Sequence, residues 1–482
     1  MATTEHPTPL AATPINRTVY VGAFAHSKTL KELEICPRGA IGVDEDGKIA
    51  FVARDIGSGK EGVQACLREY GWTGAGVVEI ADGGEEGGSG FFFPGFIDTH
   101  IHAPQHPNTG LFGHHTLLTW LHTYTFPREA SLQHLPTAHR IYTRLVHRTL
   151  SHGTTTAAYY ATIHVPATLA LASICLAHGQ RAFVGRVCMD RQTVNPDTYR
   201  DEGCAEALAK SAECVAGVRE RDAGRGLVWP ILTPRFAPSC SVDALAGLGA
   251  MMKADRGLWA QTHISENEAE VRLVAELFPD ATSYADVYDR AGLLNGRMVL
   301  AHAVHLTTEE KELVRRRDAK VAHCPASNTA LTSGCCPVRE LLERGITVGL
   351  GTDVSGGYSP SVLEMCRQAI LVSRHRAMVG GEGEKLAVEE ALYLATRGGA
   401  KVLGLESRVG GFEVGMEWDA QMVRLGGVDE LGEGELEGPV DVFGWESWED
   451  RIAKWLYSGD DRNTVAVWVN GRLVHKTDWY LQ

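Results

Sequence analysis

The sequence contains no long apolar run and no excess of positive charge. No stretch of about 18 consecutive apolar residues occurs in the 482-residue chain, so we expect no membrane-spanning helix. The net charge at pH 7 is −14, which argues against binding to a nucleic-acid backbone, because such binding requires clustered Lys and Arg. Residues 1–14 include Glu5 and His6 but no apolar central run, which predicts no secretory signal peptide.

The cysteines show neither a disulfide framework nor a metal-binding pair. They number eleven, include no C-x-x-C spacing, and contain the adjacent residues Cys335 and Cys336, which would not pair readily. We therefore expect reduced thiols and a cytoplasmic location, because cytosolic thiols are kept reduced.

Length and composition indicate a globular protein with more than one domain. Apolar residues make up 44% of the chain and charged residues 22%, which is ordinary for a protein with a sizeable core. A chain of 482 residues would accommodate a barrel of about 250 residues and a smaller domain.

Both ends of the chain show β-rich patterns. Residues 1–90 hold short β-like runs separated by turns, with a glycine-rich, flexible excursion over 83–90. Residues 406–482 hold strand-like segments over 410–420 and 465–472, with Asn470-Gly471 as a hairpin turn. These patterns predict a small β-sandwich domain built from both chain termini.

The region 91–405 alternates strand-like runs with longer amphipathic segments. Such alternation indicates an α/β fold, and it favours a closed (β/α)8 TIM-like barrel over an open sheet. In such a barrel the active site lies at the C-terminal ends of the strands. The predicted strands are 91–99, 154–159, 181–187, 227–232, 258–262, 298–301, 320–322 and 346–350.

His100 and His102 lie at the end of the first predicted barrel strand. Side chains alternate along a strand, so both imidazoles point the same way while Ile101 points the other way. Such a pair would supply two of the ligands of a zinc or iron site. An H-x-H sequence alone is a weak signal, because two histidines end a strand by chance more often than they bind metal.

Further ionisable side chains follow the later strands. His263 and Glu266 follow the fifth strand, His302 the sixth, His323 the seventh and Asp353 the eighth. Each of these alone fits a solvent-facing loop histidine or a capping carboxylate. Together, at the rim where the fold places catalysis, they favour a metal-dependent active site.

These residues resemble the signature of the amidohydrolase superfamily, and longer motifs are similar to its guanine deaminase family. The resemblance covers most of the chain from about residue 80 onward. The motifs are PGFIDTHIHAPQ (94–105), YTFP (124–127), GTTT (153–156), GQRAFVG (179–185), TPRF (233–236), HISEN (263–267), GTDVSGGYS (351–359) and LYSGDDRN (456–463).

The resemblance implies one zinc ion held by four side chains, His100, His102, His263 and Asp353. Glu266 would be the proton shuttle between the attacking water and a ring nitrogen of the substrate. His302 would orient the attacking hydroxide or the tetrahedral intermediate, and Asp353 would share the second proton transfer.

The resemblance also implies guanine as the substrate. Arg235 offers donors that match the O6 and N7 acceptor edge of guanine, and Gln105 offers an amide that both donates and accepts. Phe236 and Trp120 are candidates for stacking on the purine. Without the surrounding motif, a structural salt bridge would be the better interpretation of Arg235.

Two alternatives stay open. A related enzyme would deaminate or dechlorinate another heterocycle, such as 8-oxoguanine, a triazine or an adenosine derivative. A catalytically silent scaffold is disfavoured, because all the implied metal ligands and Glu266 are present. The other zinc deaminase design requires H-x-E and P-C-x-x-C motifs, and neither occurs in this chain. The family further implies a homodimer.

Overall fold

The computed structural model describes residues 15–80, 89–428, 431–433 and 438–481. Most of the predicted glycine-rich excursion, residues 83–88, lies outside the described residues. So do residues 1–14, for which the sequence predicts no signal peptide.

The strands fall into two sheets, one at the chain ends and one in the middle of the chain. In chain order they are β1 (Thr18–Thr29), β2 (Glu32–Val43), β3 (Ile49–Arg54), β4 (Gly76–Glu79), β5 (Ser89–Pro94), β6 (Phe96–His102), β7 (Thr154–Tyr160), β8 (Arg181–Gly185), β9 (Val187–Cys188), β10 (Val228–Pro234), β11 (Trp259–Ile264), β12 (Met298–His302), β13 (Lys320–His323), β14 (Val348–Leu350), β15 (Ala420–Gly427), β16 (Asp441–Val442), β17 (Thr464–Val469) and β18 (Arg472–Lys476).

The helices mostly alternate with the strands of the middle region. They are α1 (Gly59–Glu69), α2 (Leu117–Trp120), α3 (Phe126–Ser131), α4 (Leu135–Ser151), α5 (Val165–His178), α6 (Cys204–Asp222), α7 (Val242–Ala254), α8 (Glu268–Leu277), α9 (Tyr284–Arg290), α10 (Thr308–Arg316), α11 (Pro325–Ala330), α12 (Val338–Glu343), α13 (Val362–Gly380), α14 (Val388–Tyr393), α15 (Gly399–Val402) and α16 (Trp448–Ser458).

The middle sheet closes into a parallel barrel. Within the described residues its order is β14-β13-β12-β11-β10-β8-β7-β6, with β9 beside β10, and the pairings along it are parallel. At the seam, Thr99 Oγ1 donates to Leu350 O at 2.8 Å and Asp353 N donates to His100 O at 2.9 Å. The predicted (β/α)8 TIM-like barrel is therefore confirmed.

The second sheet joins the two ends of the chain. Within the described residues its order is β18-β17-β15-β5-β1-β2-β3, with β4 beside β1 and β16 beside β15. The predicted hairpin turn between β17 and β18 is present, and Asn470 and Gly471 both have left-handed φ, +46° and +74°. The strand predicted over 410–420 is wrong except for its last residue, because turns with φ near +90° at Gly410 and Gly415 keep this segment irregular. The small domain built from both termini is confirmed, whereas its boundaries at residues 90 and 405 stay predictions.

Gly95 divides what the sequence suggested was one strand, 91–99. The chain leaves the terminal sheet at the end of β5 and enters the barrel at the start of β6. A Cβ at Gly95 would lie 2.2 Å from Cγ2 of Thr155 on β7, so only glycine fits this close approach. A single apolar run thus supplies a strand to each sheet.

Two further sequence expectations concern cysteines and membrane spans. All eleven cysteines lie among the described residues, and all have free thiols. Among the described helices, none combines the length and the apolar character needed to cross a bilayer.

A buried ion-pair cluster connects the barrel to the terminal sheet. Arg181, the first residue of β8, is fully buried, and its Nη2 lies 2.7 Å from both Glu417 Oε2 and Asp419 Oδ1. Its Nε also donates to Asp419 Oδ2 at 3.2 Å. Because burial of an unpaired charge is costly, the three side chains depend on one another.

Replacing Arg181 with Met should destabilise the protein by about 3–5 kcal/mol, because the buried Asp419 would lose its countercharge while Glu417 would keep its pair with the partly exposed Arg408. The free energy of unfolding, measured in a urea titration, checks this. A matched control is Arg315→Ala, whose pair with Glu312 is exposed, so its loss should leave the free energy of unfolding nearly unchanged. Equal stability of Arg181→Met and the unaltered protein would show that this cluster does not hold the two sheets together.

Candidate active site

The H-x-H pair ends β6 with the alternation expected of a strand. Ile101 packs outward into an apolar cluster that includes Tyr142 and Leu145 of α4. His100 and His102 lie on the opposite side, where both are almost completely buried. The local strand geometry therefore places both imidazoles inside the barrel mouth.

Side chains from four barrel strands meet around these imidazoles. His100 Nε2 lies 3.1 Å from Asp353 Oδ1, and His102 Nε2 lies 3.0 Å from His263 Nε2. His102 Nε2 is also 3.4 Å from Asp353 Oδ1. A mutually close set of potential ligand atoms, all within 4.8 Å of one another, comes from His100, His263, His302 and Asp353.

Hydrogen bonds fix the orientation of two of the rings. His263 Nδ1 donates to the backbone carbonyl of Arg235 at 2.5 Å, so its Nε2 lone pair faces the cluster. His302 Nδ1 donates to Asn328 Oδ1 at 2.8 Å, so a neutral His302 also presents its Nε2 lone pair to the cluster. The predicted donor role of His302 therefore requires a doubly protonated ring.

The strand ends that carry the site have unusual backbone conformations. Ser265, His302 and Asp353 have left-handed φ values of +49°, +76° and +47°. The buried carboxylate of Asp98 spans the barrel seam, since its Oδ1 accepts from His100 N at 3.2 Å and from Thr352 N at 3.0 Å. Left-handed conformations of non-glycine residues persist where surrounding contacts hold them, and they are concentrated at functional sites.

Burial and charge divide the site into neutral rings and two different carboxyls. Burial lowers the pKa of His102 and His263 well below the usual range, which keeps both rings neutral. Burial alone would raise the pKa of Asp353, but the adjacent imidazoles, led by His100, hold it well below its usual range. Burial and then the negative charges of Asp353 and Glu270 raise the pKa of Glu266 well above its usual range. Asp353 is therefore the ionised carboxylate and Glu266 the one suited to carrying a proton.

The donor set fits a divalent transition metal. Neutral imidazoles and one carboxylate are ligands that zinc prefers, and its tetrahedral sites separate neighbouring ligand atoms by about 3.3 Å. The observed separations of 3.0 to 3.4 Å from His102 Nε2 agree with that value. Within the described residues His302 Nε2 is buried without a hydrogen-bond partner. The cluster thus has the composition and spacing of a metal centre.

A cleft opens directly onto this cluster. It brings together every residue that sequence reasoning assigned to the substrate, and it also reaches His102, His263, Glu266 and Asp353. The predicted substrate residues on its wall are Gln105, Trp120, Arg235 and Phe236. Apolar side chains of Leu117, Leu121 and Leu331 complete the wall. The combination of apolar walls with a few polar groups is typical of a small-molecule site.

Arg235 is both a cleft residue and half of a salt bridge. Its guanidinium is buried, lies over the Phe126 ring at 5.0 Å, and pairs with Glu129, with Nη1 at 2.5 Å from Oε2. The two interpretations of Arg235 raised by the sequence are therefore compatible.

Trp120 donates its indole N–H to Leu111 O at 3.0 Å, so the ring is anchored at the cleft wall.

Three residues of the site were missed or left without a role by the sequence reasoning. Glu129 follows the YTFP motif and lies three positions after Phe126, on the same face of α3. Asn328, on α11, orients His302, and Ser333 Oγ donates to Glu266 Oε1 at 3.3 Å. The spacing to Phe126 was a usable signal for Glu129, whereas Ser333 lies 67 positions from its partner and has no local signal. His323 is buried at the rim, and burial lowers its pKa to about 3.

Comparison with known proteins shows similarity over most of the chain. The model of the amidohydrolase family matches residues 91–474. A probable guanine deaminase of Schizosaccharomyces pombe is 44% identical over 457 residues, which cover 95% of this chain and 83% of that protein. The guanine deaminase of Homo sapiens is 39% identical over 460 residues, which cover 95% of this chain and 96% of that protein.

A solved structure is similar over nearly the whole chain. It is the crystal structure of guanine deaminase from C. acetobutylicum with guanine bound in the active site. The match has a TM-score of 0.83 and 31% sequence identity, and it covers 95% of this chain and 100% of that chain.

The cluster geometry leaves a choice between His102 and His302 as the third imidazole ligand, which metal analysis of purified variants decides. We expect His102→Ala to purify with little bound metal, because it would remove a ligand, and His302→Ala to keep most of it. Loss of a residue that only orients the ligands typically lowers metal affinity about 10- to 100-fold, which excess metal overcomes. The opposite pattern would make His302 the ligand in place of His102. Circular dichroism of both variants controls for folding.

Proposed function

The chain belongs to the amidohydrolase family and is a hydrolase that acts on C–N bonds, and from this premise we propose that it is a zinc-dependent guanine deaminase. The proposed reaction converts guanine and water to xanthine and ammonia. A C–O bond forms at the amine-bearing ring carbon, and the C–N bond to its amino group breaks. The observation that carries the proposal is the cleft, in which donor side chains and aromatic rings face the buried His/Asp cluster.

The polar groups of the cleft match one edge of guanine. Arg235 has only donors, and guanine presents acceptors at O6 and N7, whereas adenine has an amine at the position of O6. Phe236 and Trp120 offer apolar ring surface to the flat purine. Recognition through Arg235 and Gln105 would thus orient the purine, while the aromatic walls hold its faces.

The proposed metal ligands are the four implied by the family, His100, His102, His263 and Asp353. When bound, zinc supplies Lewis acidity that lowers the pKa of water toward neutrality. The carbonyl of Arg235 keeps His263 in the required tautomer through its hydrogen bond to Nδ1. Support for zinc among the possible metals comes from the nitrogen-rich donor set.

Glu266 is the proposed proton shuttle. Its carboxyl lies at the cleft, accepts a hydrogen bond from Ser333, and has Oε2 at 3.4 Å from His302 Nε2. Burial and then neighbouring negative charge raise its pKa well above the usual range, which suits a carboxyl that has to accept a proton and pass it on. It would remove a proton from the attacking water and deliver it to the ring nitrogen next to the reacting carbon.

Asp353 and His302 have supporting roles in the proposal. Asp353 stays ionised and would accept the second proton on its way to the departing ammonia. His302 lies between the two carboxyls, with Nε2 at 3.4 Å from Glu266 Oε2 and 3.7 Å from Asp353 Oδ2. From this position its Nε2 would orient the attacking hydroxide or the tetrahedral intermediate.

Finer expectations from the family accompany this proposal. The reaction would place the protein in purine catabolism, and a cytoplasmic homodimer stays a prediction. The alternative substrates, 8-oxoguanine, a triazine or an adenosine derivative, are competing outcomes of the assay below. A silent scaffold is disfavoured because Glu266 lines one cleft with three of the proposed ligands, His102, His263 and Asp353.

Zinc-loaded protein should convert guanine to xanthine and ammonia in equal amounts. Its rate of ammonia release should be higher with guanine than with 8-oxoguanine, an aminotriazine or adenosine. A chelator should abolish the reaction, and added zinc should restore it, because the metal activates the attacking water. Ammonia release and xanthine absorbance measure the two products. If the zinc-loaded protein formed no xanthine, the proposal would be refuted. Faster turnover of another heterocycle would identify that compound, and not guanine, as the preferred substrate.

The variant Glu266→Gln should lower kcat for guanine by roughly 10²- to 10⁴-fold, the usual contribution of general acid–base catalysis, while zinc content stays unchanged. Steady-state kinetics and metal analysis check the two parts separately. A matched control is Glu268→Gln, two residues further along and largely exposed, which should keep normal kcat. Loss of zinc from Glu266→Gln would indicate a structural role at the metal centre in place of proton transfer.

A further inference from the structure

Glu129 is a fully buried carboxylate at the back of the cleft. Its Oε2 lies 2.5 Å from Arg235 Nη1, and its Oε1 lies 3.0 Å from Arg235 Nη2. The same Oε1 accepts a hydrogen bond from Gln105 Nε2 at 2.8 Å. One carboxylate therefore binds both polar residues that the proposed function assigns to guanine recognition.

The amide of Gln105 is held at both of its ends. Its Oε1 accepts from the backbone N–H of Ser355 at 3.2 Å, while its Nε2 donates to Glu129. A reversed amide would place its carbonyl against the Glu129 carboxylate and its NH2 group against the Ser355 N–H. Both contacts would be repulsive and buried, so the amide has one orientation.

This orientation decides what remains for a substrate. The carbonyl of Gln105 already accepts from Ser355 and one N–H is donated to Glu129, so the second N–H is the free donor of this side chain. Arg235 has five N–H groups, of which two point to Glu129, and it has no acceptor. The free N–H groups of these two side chains therefore make the edge that they present to the cleft rich in donors.

We propose that Glu129 is a positioning residue that sets substrate specificity: it holds the N–H donors of Arg235 and Gln105 in a fixed orientation that selects purines with an oxo acceptor and rejects those with an amine there. The inference rests on the proposed guanine deaminase function. It adds a source of specificity to that function, because Glu129 contacts the recognition residues Arg235 and Gln105 and not the substrate.

The test compares guanine with 2,6-diaminopurine. Both carry the 2-amino group that leaves, but 2,6-diaminopurine has an amine donor in place of O6. The unaltered protein should strongly prefer guanine, because a site built around specific hydrogen bonds rejects a ligand that leaves its buried polar groups unpaired. In Glu129→Gln the amide of Gln105 is no longer held, so the ratio of kcat/KM for guanine over 2,6-diaminopurine should fall at least ~10-fold, which corresponds to about one hydrogen bond. The loss should appear mainly as a raised KM for guanine, with zinc content unchanged.

A second variant covers the case in which Glu129→Gln folds poorly. The exchange Gln105→Glu/Glu129→Gln preserves the number of carboxylates near Arg235, and its carboxylate at position 105 would present an acceptor to the cleft. Its preference should shift further toward 2,6-diaminopurine than that of the single variant. A matched control is Glu390→Gln, which alters another buried carboxylate paired with an arginine, Arg339, outside the cleft. This control should leave the substrate ratio unchanged.

The outcomes separate the inference from the function on which it rests. If the unaltered protein deaminates guanine but both variants at position 129 keep its substrate ratio, Glu129 does not set specificity and the inference is overturned. If Glu390→Gln shifts the ratio as much as Glu129→Gln does, the effect is general destabilisation and the inference is likewise overturned. If the unaltered zinc-loaded protein forms no xanthine, the proposed function itself fails.

Discussion

Closure of the barrel between β6 and β14 is the constraint on which the rest of the structure depends. At this seam the chain pairs residues 253 positions apart, bringing His100 within 3.1 Å of Asp353. The buried Asp98 carboxylate and the Thr99 hydroxyl tie the first strand to the last by hydrogen bonds. Ligands from opposite ends of the barrel region can meet around one ion only after this seam has formed.

The closed barrel mouth concentrates ionisable groups in a buried volume and thereby gives each a distinct chemical character. Burial keeps His102 and His263 neutral and therefore suited to metal binding. The adjacent imidazoles keep Asp353 ionised against the effect of burial, whereas burial and then the charges of Asp353 and Glu270 raise the pKa of Glu266. Two carboxyls with opposite tendencies within one site are what water activation and proton transfer require.

In the proposed function, chemistry and recognition occupy neighbouring but separate parts of the cleft. The proposed metal ligands lie among the strand ends, whereas recognition would depend on Arg235, Gln105 and the carboxylate of Glu129 behind them. The carbonyl of Arg235 also orients His263, so one short segment after β10 serves both parts. Members of this superfold with other substrates would therefore differ in their loops and not in the ligand-bearing strands.

The sequence by itself determined the fold class and the rim positions of the candidate residues, because strand alternation and strand-end positions are local properties, while its resemblance to a family implied the metal ligands and the cleft residues. It placed His100 and His102 on one face, and it located His263, His302 and Asp353 at the rim. Only the tertiary structure decided that Gly95 divides one apolar run between two sheets and that Glu129 fixes the amide of Gln105. Those outcomes depend on contacts between distant segments, such as the 106 positions that separate Glu129 from Arg235, and no local pattern encodes them.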